Sequence, residues 1–144
     1  MRKSIVISGF SAIALAALLT MPAPVMAEMV KMKADLKASE EVPPTNSAGT
    51  GTADVTLDTD ANKVSWKVTY EGLTGDPSAA HFHGPAKVGE NAGPIVDISA
   101  SLSEGTADVT AEQLQMIREG NTYINIHTAQ SPDGEIRGQV LQVE

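Results

Sequence analysis

The sequence contains no cysteine among its 144 residues. It therefore cannot form disulfides, thiolate metal sites or a cysteine nucleophile, and histidine and carboxylate side chains remain as its strong metal ligands. Long apolar runs are absent after residue 27, so nothing later in the chain is predicted to cross a membrane. No serine–histidine–aspartate pattern, phosphate-binding loop or spaced carboxylate pair stands out, so the sequence gives no support to hydrolase chemistry.

Basic residues are also few. Without residues 1–27, eight lysines and arginines stand against 18 acidic residues, a net charge of −10. This charge argues against nucleic acid and anionic membranes as partners. A metal ion and a small molecule remain as predictable partners, and the sequence does not identify a protein partner.

The first 27 residues have the composition of a secretory signal peptide. Arg2 and Lys3 precede an apolar run over residues 5–19, and small residues precede the expected cleavage after Ala27. The run is shorter than the about 20 apolar residues that normally span a bilayer, and an uncleaved membrane anchor is the alternative. We expect a periplasmic or secreted protein with a signal peptide over residues 1–27 and one domain over residues 28–144.

Alternation of apolar and polar residues predicts an all-β domain. The candidate strands cover residues 30–38, 53–57, 64–70, 79–84, 95–100, 105–109, 121–128 and 135–143. Turn residues separate these segments at regular intervals. This spacing predicts a Greek-key β-barrel or sandwich of about eight strands.

One short helix is expected after residue 110. Thr110 and Gln113 have the spacing of a capping box, Leu114 and Ile117 supply an apolar stripe, and Gly120 can end the helix.

Two of the three histidines form an H-x-H motif, His81 and His83. Alternate side chains of a strand share a face, so both imidazoles are expected on one face, with Ala80 and Phe82 on the other. Two imidazoles on one face can bind one metal ion.

The third histidine lies in a strand with the same pattern. Ile124 and Ile126 fit the core, which leaves Tyr123, Asn125 and His127 on the outer face. If this strand neighbours that of His81 and His83, three imidazoles converge on one site. Three neutral nitrogens suit copper, with zinc as the alternative, whereas the competing interpretation is that the histidines only form structural hydrogen bonds.

Charged and polar residues accompany these histidines. Ile136 is expected in the core, so Arg137 shares the outer face, where it can guide an anion to an open metal position or pair with Glu135 or Glu41 to fix a loop. Glu135, like Tyr123 and Asn125, is predicted to lie next to the ligands, where it can hold an imidazole N–H.

Motifs along nearly all of residues 28–144 resemble the CHRD domain, which is named for chordin and is found in bacterial exported proteins. They cover residues 36–44, 73–75, 79–86 (AAHFHGPA), 91–96 (NAGPIV), 120–128 and 132–138. In chordin such domains belong to an extracellular binding protein, so this resemblance leaves the function open.

A more distant resemblance links the histidines to the copper half of Cu,Zn superoxide dismutase, an eight-stranded Greek-key barrel. His81, His83 and His127 match three copper ligands, and Arg137 matches the arginine that guides superoxide. The bridging histidine, the other zinc-site histidines and the disulfide have no counterpart here, and Gly93, Pro94 and Ile95 stand where the bridging histidine is expected. The resemblance implies a copper-only site with an open face.

Three functions follow as hypotheses. The first is a copper-only superoxide dismutase, with Arg137 attracting the anion. The second is a copper-binding or copper-handling protein without turnover. The third is an extracellular binding module in which the histidines are structural.

Overall fold

The computed structural model describes residues 27–144, whose alternating apolar residues form the inner wall of a nearly closed antiparallel β-barrel. The strands are β1 Met29–Lys37, β2 Thr50–Asp58, β3 Lys63–Glu71, β4 Pro77–His83, β5 Pro94–Asp97, β6 Glu104–Asp108, β7 Tyr123–Thr128, β8 Ile136–Gln139 and the two-residue β9 Leu141–Gln142. One α-helix, α1 Ala111–Arg118, and two 3-10 helices, Ala38–Glu40 and Ser99–Ser101, complete the fold. The expected all-β class is confirmed. The predicted signal peptide, but for Ala27, lies outside the described residues, and no helix within residues 27–144 is long and apolar enough to cross a membrane.

Hydrogen bonding orders the strands β5-β4-β7-β8-β1-β2-β3-β6, with β9 paired to β1. The neighbours β3–β6 and β4–β7 are not consecutive in sequence, so the connections are of the Greek-key kind. The pair that positions the histidines is β4–β7.

The core follows the predicted alternation. On the strands that carry the candidate site, Ala80, Phe82, Ile124, Ile126 and Ile136 all point inward and are fully buried. Their outward neighbours are therefore the residues that the sequence placed on the outer face.

The helix lies beside the two unpaired edges, β5 and β6. The Thr110 hydroxyl accepts from the Gln113 backbone N–H at 3.1 Å, and the Gln113 Oε1 accepts from the Thr110 N–H at 3.0 Å. Leu114 and Ile117 are buried, so the predicted cap and apolar stripe are confirmed. The Gln113 Nε2 also donates to the Ile95 carbonyl of β5 at 3.0 Å. α1 thus connects the two edge strands, because it follows β6 closely in sequence and is hydrogen-bonded to β5.

Two strand predictions are too long. The strand expected over residues 95–100 ends at Asp97, because the Asp97 carboxylate accepts from the Ser99 backbone N–H at 2.9 Å and stabilises a turn. The strand expected over residues 135–143 is interrupted at Val140, whose N–H donates to the Thr122 carbonyl instead of continuing the ladder.

Candidate metal centre

Strand β4 presents His81 and His83 on the outer face of the barrel. Ala80 and Phe82 alternate with them and fill the core. His81 is half-buried, whereas His83 is only 8 % exposed. The sequence therefore placed both side chains on the correct face.

Strand β7 brings His127 to the same place. In the antiparallel pairing, Ala79 lies opposite His127 and His81 lies opposite Asn125, so His127 is a diagonal neighbour of His81. The structure thus brings together the three histidines that the sequence proposed as ligands.

The three rings form one cluster. One ring nitrogen from each of His81, His83 and His127 lies within 4.8 Å of the others. His81 Nδ1 and His127 Nε2 are 3.2 Å apart, the separation of two nitrogens that each lie about 2.0 Å from one ion. No other group of three or more potential metal-binding side chains is found within residues 27–144.

Backbone carbonyls fix two of the three imidazoles. His83 Nδ1 lies 2.9 Å from the carbonyl oxygen of Ala92, and His127 Nδ1 lies 2.8 Å from that of Pro132. A carbonyl oxygen only accepts, so each Nδ1 donates its proton outward and each Nε2 presents a lone pair to the cluster. This is how proteins orient metal-binding histidines.

His81 has the opposite orientation. Its Nδ1 faces His127, and its Nε2 lies 4.0 Å from the carboxylate of Asp97 on the neighbouring strand β5. The expected ligand atoms are therefore His81 Nδ1, His83 Nε2 and His127 Nε2.

Electrostatics favour neutral rings at two positions. Burial lowers the pKa of His83, although its hydrogen bond to Ala92 opposes this. Burial also lowers the pKa of His81, and the positive charge of a protonated His127 would lower it further. Neutral imidazole is the form that binds a metal ion.

Arg137 is on the predicted face, but it is only 2 % exposed. Its Cζ lies 3.4 Å from the ring centroid of Tyr123, which also stacks on His83 with centroids 4.8 Å apart. Its Nη1 donates to the Asn91 Oδ1 at 2.9 Å, and its Nη2 donates to the Glu90 carbonyl. Arg137 therefore holds the loop that carries Glu90 and Asn91.

The contacts of Arg137 with this loop are not the ion pairs that the sequence predicted. None of the ion pairs within residues 27–144 involves Arg137, so neither Glu135 nor Glu41 is paired with it directly. The Tyr123 hydroxyl donates to the Ala92 carbonyl at 3.2 Å. Arg137 and Tyr123 thus hold the segment whose carbonyl orients His83.

The Glu135 carboxylate has other hydrogen-bond partners than the sequence predicted. This fully buried carboxylate accepts hydrogen bonds from Ser47, Thr74 and Thr128, rather than holding an imidazole N–H. Burial alone would raise the pKa of Glu135, but these hydrogen bonds outweigh it and lower that pKa to about 2. The next residue, Ile136, points into the core, so the Glu135 side chain points away from it. Loops that are distant in sequence surround the Glu135 carboxylate there.

Glu41 is a site residue that the sequence suggested only as a partner of Arg137. It is 6 % exposed, and burial raises its pKa to about 7 against the opposing effects of Arg137, Asn125 and the Val42 backbone. Within residues 27–144, Glu41 Oε1, His83 Nε2 and Asn125 Oδ1 have no hydrogen-bond partner. All three residues line one cavity of about 300 Å³. The only sequence signal for Glu41 was its position before two prolines in a CHRD-like segment.

Comparisons with known proteins cover this whole region. The sequence profile of the CHRD domain matches residues 32–140, which include Glu41, the three histidines and Arg137. Chordin from Danio rerio is 28% identical over 109 residues, which are 68% of this chain and 12% of that protein. The chain thus spans about an eighth of this relative's length. No solved structure matches significantly, so the likeness to Cu,Zn superoxide dismutase rests on the residues alone.

Proposed function

This chain belongs to the CHRD domain family, and we propose that it is an exported copper-binding protein whose site consists of His81, His83 and His127. One observation carries the proposal: two paired strands bring one nitrogen from each histidine within 4.8 Å of the others. These are all the histidines of the chain.

The donor set fits the ion. Three imidazole nitrogens suit copper and zinc, and a given set of nitrogen ligands binds Cu²⁺ more tightly than Zn²⁺. The chain offers no cysteine that would favour zinc or an iron–sulfur cluster. Export, which residues 1–27 indicate, would place the site where Cu²⁺ persists because reductants are few.

Superoxide dismutation is the catalytic candidate for the same site. The exposure of the cluster supports this candidate. The His81 side chain remains 21% exposed, so a small molecule can approach the cluster from solvent. Bound copper would supply the alternating oxidation and reduction. Arg137, buried beneath the loop, would contribute positive potential rather than direct contact.

Copper titration of the metal-free, untagged protein tests the proposal. We expect one copper ion per chain, and we expect the affinity of His127→Ala to fall by about 100-fold or more because one of three ligands is lost. Asp60→Asn, an exposed turn residue, is the control and should bind like the wild type. Equal affinity in His127→Ala, or no binding by the wild type, would refute the site and favour the binding-module hypothesis.

A superoxide-consumption assay then separates catalysis from binding. The copper-loaded protein should consume superoxide faster than the same concentration of copper mixed with a weak chelator. His127→Ala should lose this higher rate. If the loaded wild type shows no higher rate, the protein binds copper without dismutation.

A further inference from the structure

Three residues with buried, unpartnered polar atoms line one cavity beside the histidine cluster. Glu41 is 6%, His83 8% and Asn125 2% exposed, and Glu41 Oε1, His83 Nε2 and Asn125 Oδ1 lack a partner within the described chain. Because His83 is a proposed ligand and lines this cavity, the cavity lies beside the proposed metal site. A small molecule in the cavity would be near Glu41 and Asn125, which line it as well.

The unpartnered atoms of these three residues are all acceptors. The Glu41 and Asn125 atoms are oxygens, and His83 Nε2 presents a lone pair because its Nδ1 donates to Ala92. The nearby side-chain donors are engaged: the Tyr123 hydroxyl donates to Ala92, the Asn91 amide donates to Val42, and Asn125 Nδ2 donates to the Asp133 carbonyl at 3.5 Å. A ligand that enters here therefore lies near acceptors and near the buried carboxylate of Glu41, while the second acidic residue of the lining, Asp133, is exposed.

We propose that Glu41 is a specificity-determining residue of the metal site: its carboxylate disfavours anions beside His83 and favours small neutral ligands that donate hydrogen bonds. This inference rests on the proposed copper site. Water and hydrogen peroxide belong to the favoured class. Superoxide belongs to the disfavoured class, so Glu41 would slow dismutation.

The position of Glu41 is fixed by its surroundings. A Cβ atom at Gly134 would overlap both Glu41 Oε1 and Asn125 Nδ2, so the absence of a side chain there makes room for the carboxylate. Gly134 also has a φ of +125°, which other residues rarely adopt. The Asn125 side chain lies close to both groups, since it opposes the effect of burial on the pKa of Glu41 and on that of His83.

Ligand titrations of the copper-loaded protein test the inference. Azide is the anionic probe and imidazole the neutral donor, and both are followed by the visible absorption and EPR spectra of Cu²⁺. At about pH 8.5 Glu41 is ionised, since its pKa is about 7. In Glu41→Gln the ratio of the azide to the imidazole dissociation constant should fall about three- to tenfold, as expected for one charge removed within about 10 Å.

Glu40→Gln is the matched control. It makes the same charge change one residue away on the exposed 3-10 helix, and its ratio should stay at the wild-type value. An unchanged or increased ratio in Glu41→Gln, or an equal fall in Glu40→Gln, would overturn the inference.

A second variant decides the question if Glu41→Gln does not fold. Asn125→Asp adds a carboxylate beside Glu41 with little change of shape, so at about pH 10, where both carboxylates are ionised, its ratio should rise about three- to tenfold. An unchanged ratio in this variant contradicts the role of charge in the cavity. Failure of the wild type to bind copper would instead refute the proposed function itself, whereas normal loading with unchanged ratios refutes only this inference.

Discussion

At the scale of single residues, the site depends on a buried arginine that holds a loop. Arg137 contacts Tyr123 through its guanidinium and donates to Asn91 and Glu90. A planar guanidinium can stack and donate in two directions at once, which an ammonium group cannot do. Arg137 therefore matters through the loop that orients His83.

Arg137→Lys should separate this role from positive charge alone. We expect a loss of about 2–4 kcal/mol in the free energy of unfolding, because the stacking and at least one buried hydrogen bond are lost. Copper affinity should fall about tenfold, because Ala92 no longer orients His83. Urea denaturation and copper titration measure the two effects.

The same substitution at Arg118 is the control. Arg118 forms an exposed ion pair with Glu28, so Arg118→Lys should change stability by less than about 0.5 kcal/mol and leave copper affinity unchanged. Equal effects at the two positions would show that Arg137 has no special role.

Glu135 should make the free energy of unfolding depend on pH in the acidic range. Its pKa is lowered from 4.5 to about 2 in the folded protein, so its contribution is complete above about pH 4.5 and is lost as the pH falls towards 2. In Glu135→Gln we expect a loss of about 2 kcal/mol or more at neutral pH and a flatter stability curve between about pH 5 and 2. Unfolding measured against pH tests this, with exposed Glu104→Gln as the control; an unaltered slope in Glu135→Gln would contradict the assignment.

At the scale of strands and helices, alternation alone predicted which side chains share a face. The isoleucines of β7 and β8 are buried, so Asn125, His127 and Arg137 had to lie outside. Local pattern cannot show what later covers that face. Ser47 and Thr74, which donate hydrogen bonds to the Glu135 carboxylate, are 88 and 61 residues away from it. Glu90 and Asn91, which accept hydrogen bonds from Arg137, lie in a loop.

The helix cap was predictable because it is local, and it can be tested locally. Thr110→Ala should lower the free energy of unfolding by about 1 kcal/mol, since the Gln113 N–H loses its acceptor. Thr110→Ser retains the hydroxyl and should lose less than about half of that. Equal losses in thermal or urea unfolding would show that the cap contributes nothing.

At the scale of the whole molecule, a metal ion would link two strands of a barrel that has no disulfide. Ligand binding to the folded state alone raises its stability, by about 2.7 kcal/mol when the free ion is at 100 times its dissociation constant. We therefore expect copper to raise the unfolding temperature of the wild type clearly more than that of His127→Ala, whose affinity is lower; equal shifts in the two would contradict the role of His127.

This stabilisation should depend on pH in a defined direction. Protons compete with copper for imidazole, so the copper-induced shift in unfolding temperature should shrink below about pH 6 and be nearly absent at about pH 4. Calorimetry with and without one equivalent of copper measures it. A full shift at pH 4 would point to carboxylate ligands instead.

The most direct measurement is pulsed EPR of the protein loaded with one equivalent of Cu²⁺, which counts the imidazole rings bound to the ion. The chain has three histidines, so each ring that is counted has a known origin. We expect three coordinated imidazoles in the wild type and two in His127→Ala. One imidazole or none in the wild type would contradict the claim that His81, His83 and His127 form a single metal site.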